Sequence, residues 1–193
     1  MRRQMRISAV LVAGGESRRM GRNKATLHFR NAPLWQFQLD TLRKLKPEQL
    51  LVSAQIDPLW RPMDVEFVGD MQRARGPLSG ISAALSRTTG DHLLALGIDM
   101  PFLSHNYLRE LFERVRPGCG VVPMIENRAE PLAAIYPRTA DVDFIEALLG
   151  NDFSLQPLIA KLVAAGKLQR IDVSGGEKAL FRNLNDPADL EGS

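Results

Sequence analysis

An apolar run, Ile7 to Val12, empties into Gly14-Gly15 and then into a segment carrying Arg18, Arg19, Arg22 and Lys24. A buried strand that ends in paired glycines and cations needs a fold whose strand ends face a polyanion. Gly14 and Gly15 have no Cβ, so the backbone can come close to a ligand. Successive N–H groups in such a turn form an anion-binding concavity. Arg18 and Arg19 add forks suited to bidentate phosphate contacts, and Lys24 adds a point charge.

Two familiar phosphate loops are excluded. In a Walker A loop the second glycine is followed directly by lysine and then by Ser or Thr. Here Gly21 precedes Arg22, and Lys24 precedes Ala25. The dinucleotide fingerprint G-x-G-x-x-G also fails, because Gly14 and Gly15 are adjacent. A glycine turn with a solvated basic face would account for the glycines alone. It does not account for a strand, a glycine pair and cations arriving together.

The rest of the chain alternates buried strands with helical patterns. Strands are expected at Ile7–Val12, Leu50–Ser53, Val65–Val68, His92–Ile98, Val121–Met124, Leu132–Tyr136 and Leu168–Val173. Helices are expected at Leu34–Lys46, Leu78–Arg87, Val142–Leu149 and Leu155–Ala165. A further helix capped by Ser104 should run to Val115, and a short one should follow Asp186-Pro187. This alternation gives the fold class: α/β, a three-layer Rossmann-like sandwich with a mainly parallel, partly mixed sheet. The 193 residues read as one domain with a sizeable core. In open sheets of this type, ligands lie beyond the carboxyl ends of the strands. The glycine loop after Val12 and the carboxylate of Asp99 after Ile98 both fall there.

Asp99 stands alone at the end of a buried strand, in Gly97-Ile98-Asp99-Met100-Pro101. Asp-x-Pro is a common turn opening. Its shared edge with the glycine loop favours a second role, since magnesium prefers few carboxylates together with phosphate oxygens and water. Asp70 closes another strand after Gly69, and a turn role and a ligand role are evenly matched there. Gly76-Pro77-Leu78-Ser79-Gly80 opens a helix whose N-terminus attracts anions, or whose Gly80 only allows tight packing. His28, His92 and His105 have no ligand spacing, so zinc is not expected. Trp35 and Trp60 are expected to pack or sit at an edge.

The net charge of +3 suits a small anionic substrate, and 6% aromatics with no long basic run disfavours nucleic acid. The lone Cys119 excludes an internal disulfide framework and fits a reducing compartment. No apolar stretch reaches membrane-spanning length, and the basic N-terminus lacks a cleavage pattern, so a cytoplasmic protein with no membrane partner is expected.

The stretch Val12-Ala13-Gly14-Gly15-Glu16-Ser17-Arg18-Arg19-Met20-Gly21-Arg22-Asn23-Lys24 closely resembles the N-terminal signature of the molybdenum cofactor guanylyltransferases. The resemblance continues through Gly69-Asp70, Gly76-Pro77-Leu78-Ser79-Gly80, Asp99-Met100-Pro101-Phe102 and Asn183-Leu184-Asn185-Asp186-Pro187. It implies transfer of GMP from GTP to the terminal phosphate of molybdenum-molybdopterin, with release of pyrophosphate. It implies Mg²⁺ as cofactor, held by Asp99. It places Arg18, Arg19, Lys24 and Asp99 in catalysis. It places Val12, Ala13, Gly14, Gly15, Lys24, Ser53, Asp70, Gly80, Asp99, Asn183 and Asn185 around the nucleotide, metal or acceptor. Transient contact with other cofactor-biosynthesis proteins and apo-molybdoenzymes is implied as well. Ala13-Gly14-Gly15 matches guanylyl enzymes, whereas cytidylyl relatives carry Ala-Ala-Gly; Gly14 lacks the methyl that would crowd a purine. Gly97-Ile98 departs from relatives with a cysteine beside the aspartate, and Asp152 to Gln156 departs from relatives with an arginine-containing stretch. A CTP-dependent or sugar-phosphate nucleotidyltransferase, a non-catalytic nucleotide-binding regulator and a dinucleotide-dependent oxidoreductase are the alternatives. Nucleotide preference, pyrophosphate release and NAD(H) binding separate them.

Overall fold

The computed structural model describes residues 5–14, 24–70 and 75–184. Gly15, Arg18, Arg19, Asn185 and the expected helix after Asp186-Pro187 lie outside the described residues. In chain order the elements are β1 (Ile7–Val12), β2 (His28–Phe29), β3 (Ala32–Pro33), α1 (Leu34–Arg43), β4 (Gln49–Ala54), β5 (Glu66–Gly69), α2 (Pro77–Arg87) and β6 (His92–Gly97). They continue with α3 (His105–Glu113), β7 (Gly120–Ile125), β8 (Arg128–Ala129), β9 (Ile135–Pro137), α4 (Asp141–Leu149), α5 (Leu155–Ala164) and β10 (Leu168–Asp172).

The main sheet runs β10-β7-β9-β6-β1-β4-β5, with β8 paired to β7. The β1–β4, β4–β5, β1–β6 and β7–β10 pairs are parallel; β9 is antiparallel to both β6 and β7. The expected mainly parallel, partly mixed sheet is therefore observed. From β1 the chain builds outward through β4 and β5, then crosses back to lay β6 on the other side of β1. That reversal is a topological switch point, where a crevice opens beyond the strand ends.

Strand side chains alternate between two cores, as a pleated sheet buried on both faces requires. Ala9 and Leu11 of β1 join Leu94 and Leu96 of β6 beneath α1 and α3. Val10 and Val12 join Leu93 and Ala95 beneath α2, α4 and α5. Ser104 caps α3 by accepting the Tyr107 N–H at 3.2 Å, an interaction of about 1 kcal/mol. Asp143, buried on α4, is held by Lys167 at 2.5 Å and Lys161 at 3.5 Å, tying α4 to α5 and to the turn before β10.

Three expectations are corrected. The first helix stops at Arg43, not Lys46, because the chain turns there and Lys46 adopts φ 52° before Pro47. The strand expected over Leu132–Tyr136 is a 3-10 turn at Pro131–Ala133 followed by β9. Pro131 starts that turn, and its carbonyl accepts the buried Tyr136 hydroxyl at 2.7 Å. The helix capped by Ser104 ends at Glu113, not Val115; ahead of α1 stand the β2–β3 hairpin and a 3-10 turn at Lys24–Thr26. Gly120 is forced by the β7–β9 approach, since a Cβ there would stand 1.8 Å from the Ile135 carbonyl oxygen.

Candidate active site

Hydrogen bonds beyond the strands bind the switch point together. The Ala13 N–H donates to the Ser53 carbonyl at 2.9 Å, and the Ile98 N–H donates to the Val12 carbonyl at 3.1 Å. The Asp70 N–H donates to the Ala54 carbonyl at 3.0 Å. Thus the residues following β1, β5 and β6 are fixed against their neighbours, and their side chains share one edge.

At one end of this edge, the buried Ser53 hydroxyl donates to Asp70 Oδ1 at 2.8 Å. Two glycines close around the pair. A Cβ on Gly14 would stand 2.9 Å from Asp70 Oδ2. One on Gly80 would stand 2.7 Å from Ser53 Oγ, 3.3 Å from Asp70 Oδ1 and 3.4 Å from Val12 Cγ1. The structure thus brings Val12, Ala13, Gly14, Ser53, Asp70 and Gly80 together. Burial pushes the Asp70 carboxyl above its ordinary value, and the Ser53 hydroxyl pulls it back. Among the described residues, Ser53 is the side chain that donates to it. A partly buried carboxylate with spare lone pairs calls for further N–H donors. Gly76, with φ +64°, and Pro77 start α2 beside this group.

At the other end, Asp99 follows β6. Burial raises its carboxyl, whereas the Lys24 charge and its own backbone N–H lower it. Lys24 Nζ donates to the Leu184 carbonyl at 3.0 Å, and the Leu184 N–H donates to the Asp99 carbonyl at 2.8 Å. The segment containing Asn183 therefore links the lysine to the aspartate; Asn183 itself is exposed beside this link.

Gly97 has a plainer role than close approach of a ligand. Its missing Cβ makes room for Asp99 Oδ1, at 3.0 Å, and for Leu132 Cβ, at 3.3 Å. Trp35 and Trp60 stack on one another at 5.5 Å and 17°, as packing residues do.

Two neighbours of Asp99 were missed by sequence reasoning. The fully buried Gln38 of α1 donates from Nε2 to the Gly97 carbonyl at 3.0 Å, steadying the strand end. Nothing in the helical pattern marks it except a polar residue on an apolar face. Glu130 is raised first by burial and also by the Asp99 charge, against the pull of Arg128. Its signal is its place just before Pro131, where the 3-10 turn begins.

Lys24 and Asp99 are joined through Leu184 at the switch point of this Rossmann-like sheet, and the Ser53–Asp70 pair lies across β1 from them. Residues 9–186 match the family model described as MobA-like NTP transferase domain. The chain belongs to that family. It is 34% identical over 188 residues to a probable molybdenum cofactor guanylyltransferase of Opitutus terrae, covering 96% of this chain and 93% of the relative. It is 26% identical over 190 residues to a molybdenum cofactor guanylyltransferase of Yersinia pseudotuberculosis, covering 97% and 95%. Among solved structures, molybdopterin-guanine dinucleotide biosynthesis protein A from Archaeoglobus fulgidus superposes with a TM-score of 0.75 at 26% identity, covering 96% of this chain and 95% of the other. Among the described residues no helix is long and apolar enough to cross a membrane.

Proposed function

We propose that this chain transfers GMP from GTP to the terminal phosphate of molybdenum-molybdopterin and releases pyrophosphate. The supporting observation is the junction of Lys24 and Asp99 through Leu184, within a chain matched to its family over nearly its whole length. The attacking group is already an ionised phosphate, so no general base is needed. The protein's work is alignment and charge neutralisation. Lys24 meets the transferring phosphates, assisted by Arg18, Arg19 and the loop amides around Gly14 and Gly15. One of Asn183 and Asn185 serves the acceptor phosphate or the metal, as the family resemblance implies.

The donor chemistry fits Mg²⁺: Asp99 supplies a hard oxygen, and magnesium commonly takes one or two carboxylates plus phosphate oxygens. When bound, the ion offsets charge on the phosphate oxygens. Asp99 would hold it, and the Lys24 charge opposes the rise that burial imposes on the Asp99 carboxyl.

Guanine is the base that fits Asp70. The carboxylate accepts from Ser53 on Oδ1 and turns Oδ2 toward Gly14. Guanine offers two adjacent N–H donors, at N1 and N2, to such an acceptor. The Watson–Crick edge of cytosine has one donor group, the N4 amino, next to the N3 acceptor, so it cannot offer a carboxylate two adjacent N–H groups and sets N3 against it. A cytoplasmic location and transient contacts with other cofactor-biosynthesis proteins and apo-molybdoenzymes belong to the same reading.

Pyrophosphate release is the test, with GTP or CTP, Mg²⁺ and molybdenum-molybdopterin. Turnover should require GTP, and Lys24→Ala should raise the barrier by roughly 2–4 kcal/mol with the fold intact. Equal rates with CTP would remove the guanine assignment, and wild-type rates for Lys24→Ala would remove the phosphate role.

A further inference from the structure

Among the described residues, Arg6, Arg43, Arg61 and Arg87 each meet a carboxylate: Glu48 at 3.1 Å, Asp64 at 3.0 Å, Asp57 at 2.6 Å and Glu66 at 2.8 Å. Their charges are committed to the fold. Arg182 differs. Among the described residues it has no carboxylate partner, and its guanidinium carbon lies 4.3 Å from the centroid of the Phe102 ring. Stacking on a ring uses the face of the guanidinium and leaves its in-plane N–H groups available.

Its position is tied to the reacting centre from two sides. Arg182 lies two residues before Leu184, whose N–H holds the Asp99 carbonyl at 2.8 Å and whose carbonyl accepts Lys24 Nζ at 3.0 Å. Phe102 lies three residues after Asp99, in a turn closed by the Met100 N–H on the Gly97 carbonyl and the Leu103 N–H on the Met100 carbonyl, both 3.3 Å. The ring itself is braced: Phe29 meets it edge-on at 5.4 Å and 90°, and Phe37 braces Phe29 at 5.0 Å and 75°. A fork is therefore held flat on a fixed platform, between the segment that carries Leu184 and the turn that follows Asp99. It is remote in the fold from the Ser53–Asp70 pair, which sits across β1 at the ends of β4 and β5.

We propose that Arg182 receives a phosphate of the reacting pair, entering over Phe102 on the β6 side of Asp99. The proposal rests on reading the chain as a nucleotidyltransferase. The phosphate belongs either to the acceptor or to the triphosphate that becomes pyrophosphate, and placement away from Asp70 favours the acceptor. Arg182 is thus a specificity and positioning residue for the group that attacks. The fork matches two phosphate oxygens at once, which a lysine cannot do.

The test uses the full chain with GTP, Mg²⁺ and molybdenum-molybdopterin, comparing wild type with Arg182→Gln, Arg182→Lys and Phe102→Leu. Arg43→Gln serves as the control for a lost surface arginine. Arg182→Gln should raise the acceptor KM roughly tenfold or more, the effect of one charge-assisted contact, with Tm unchanged. Arg182→Lys should recover part of that loss, and Phe102→Leu should show a smaller rise because the charge stays but its platform is gone. A rise in the GTP KM instead would assign the same phosphate contact to the nucleotide. Calorimetric binding of inorganic pyrophosphate, which needs no acceptor, should also be weaker in Arg182→Gln than in wild type if the nucleotide is the source, and unchanged if the acceptor is. The proposal is overturned if neither KM nor pyrophosphate affinity moves beyond twofold, or if Arg43→Gln raises the acceptor KM equally. A wild type that releases no pyrophosphate with any nucleotide overturns the functional reading itself, a result distinguishable from an active wild type matched by Arg182→Gln.

Discussion

Around Ser53 and Asp70 the site is made by three neighbouring parallel strands and the helix that follows them; around Asp99 it is made by segments brought from the two ends of the chain. Ser53 and Asp70 are 17 residues apart, whereas Lys24 reaches Leu184 across 160. On the β4–β5 side, side chains are removed at Gly14 and Gly80 so that the backbone closes on one carboxylate. On the β6–β9 side, charge is gathered: Asp99 feels Lys24, and Glu130 feels Asp99. On the proposed function, the first arrangement receives the base and the second receives the reacting phosphates. Binding and turnover should therefore be separable by mutation.

Paired carboxamide variants give the largest effects and the sharpest trial of that division. Asp99→Asn should lower kcat by roughly 2–4 kcal/mol of barrier, comparable to losing one preorganised charge contact, while nucleotide affinity is largely kept. Asp70→Asn should act mainly on the GTP KM, because it converts an acceptor edge into a mixed one and leaves the phosphate end untouched. Steady-state kinetics with both variants, alongside GTP binding by calorimetry, reads the two parameters separately. If both substitutions move kcat alike, the two ends are one functional unit and the comparison collapses.

The same division governs what could be read from the chain. Ile7–Val12 has the bounds expected of it, and Gly14, Asp70, Gly80 and Asp99 all lie at one sheet edge as strand order requires. Local patterns sufficed there: apolar runs, glycines and a carboxylate at strand ends. The link from Lys24 through Leu184 to Asp99 left no local trace, since it is a backbone bond between distant segments. Gln38 was hidden because one polar residue on an apolar helical face has no periodic signature. The strand expected at Leu132 failed because apolar periodicity does not distinguish a buried 3-10 turn from a strand, and Pro131 decides in favour of the turn. Gly97 has no legible meaning in the sequence for a related reason: a glycine marks close approach but does not name what approaches, here Asp99 and Leu132.

Gly14→Ala probes how base choice is connected to Asp70, with a smaller expected effect. Gly14 is not among the glycines with positive φ, so backbone strain is not the issue. Its added methyl would instead meet Asp70 Oδ2 at 2.9 Å, and the carboxylate must turn away from its Ser53 bond. A displaced acceptor should weaken guanine recognition by about 1–3 kcal/mol, the usual scale of pocket discrimination. The GTP/CTP ratio of kcat/KM should fall in Gly14→Ala, and a Gly14→Ala/Asp70→Asn double variant should lose little more than Asp70→Asn alone. Additive losses in that cycle would show that the methyl acts on the base directly.

The smallest expected effect lies at the opposite end of the strand that carries Asp99, and it asks whether the β6 side is also the acid-sensitive side. His92 opens β6 and is fully buried, and among the described residues neither ring nitrogen meets a partner in hydrogen-bonding geometry. Burial pushes its imidazole below the ordinary value of 6.5; the Asp91 charge and the carbonyls of Arg116 and Cys119 push the other way, and burial prevails. The folded chain therefore holds His92 neutral where the unfolded chain has begun to protonate it. Between the folded value and about 6.5 the unfolded state binds more protons, so stability is complete above that window and falls as pH drops through it. The slope from one such group cannot exceed about 1.4 kcal/mol per pH unit. Asp91 also accepts the Arg6 N–H at 3.0 Å. Urea midpoints measured at pH 7.5, 6.5 and 5.5 should decline in wild type, and the decline should flatten in His92→Leu, which fills the same space without a titrating ring. Parallel declines in the two proteins would move the acid sensitivity away from β6 and leave the two sides of the sheet equally exposed to pH.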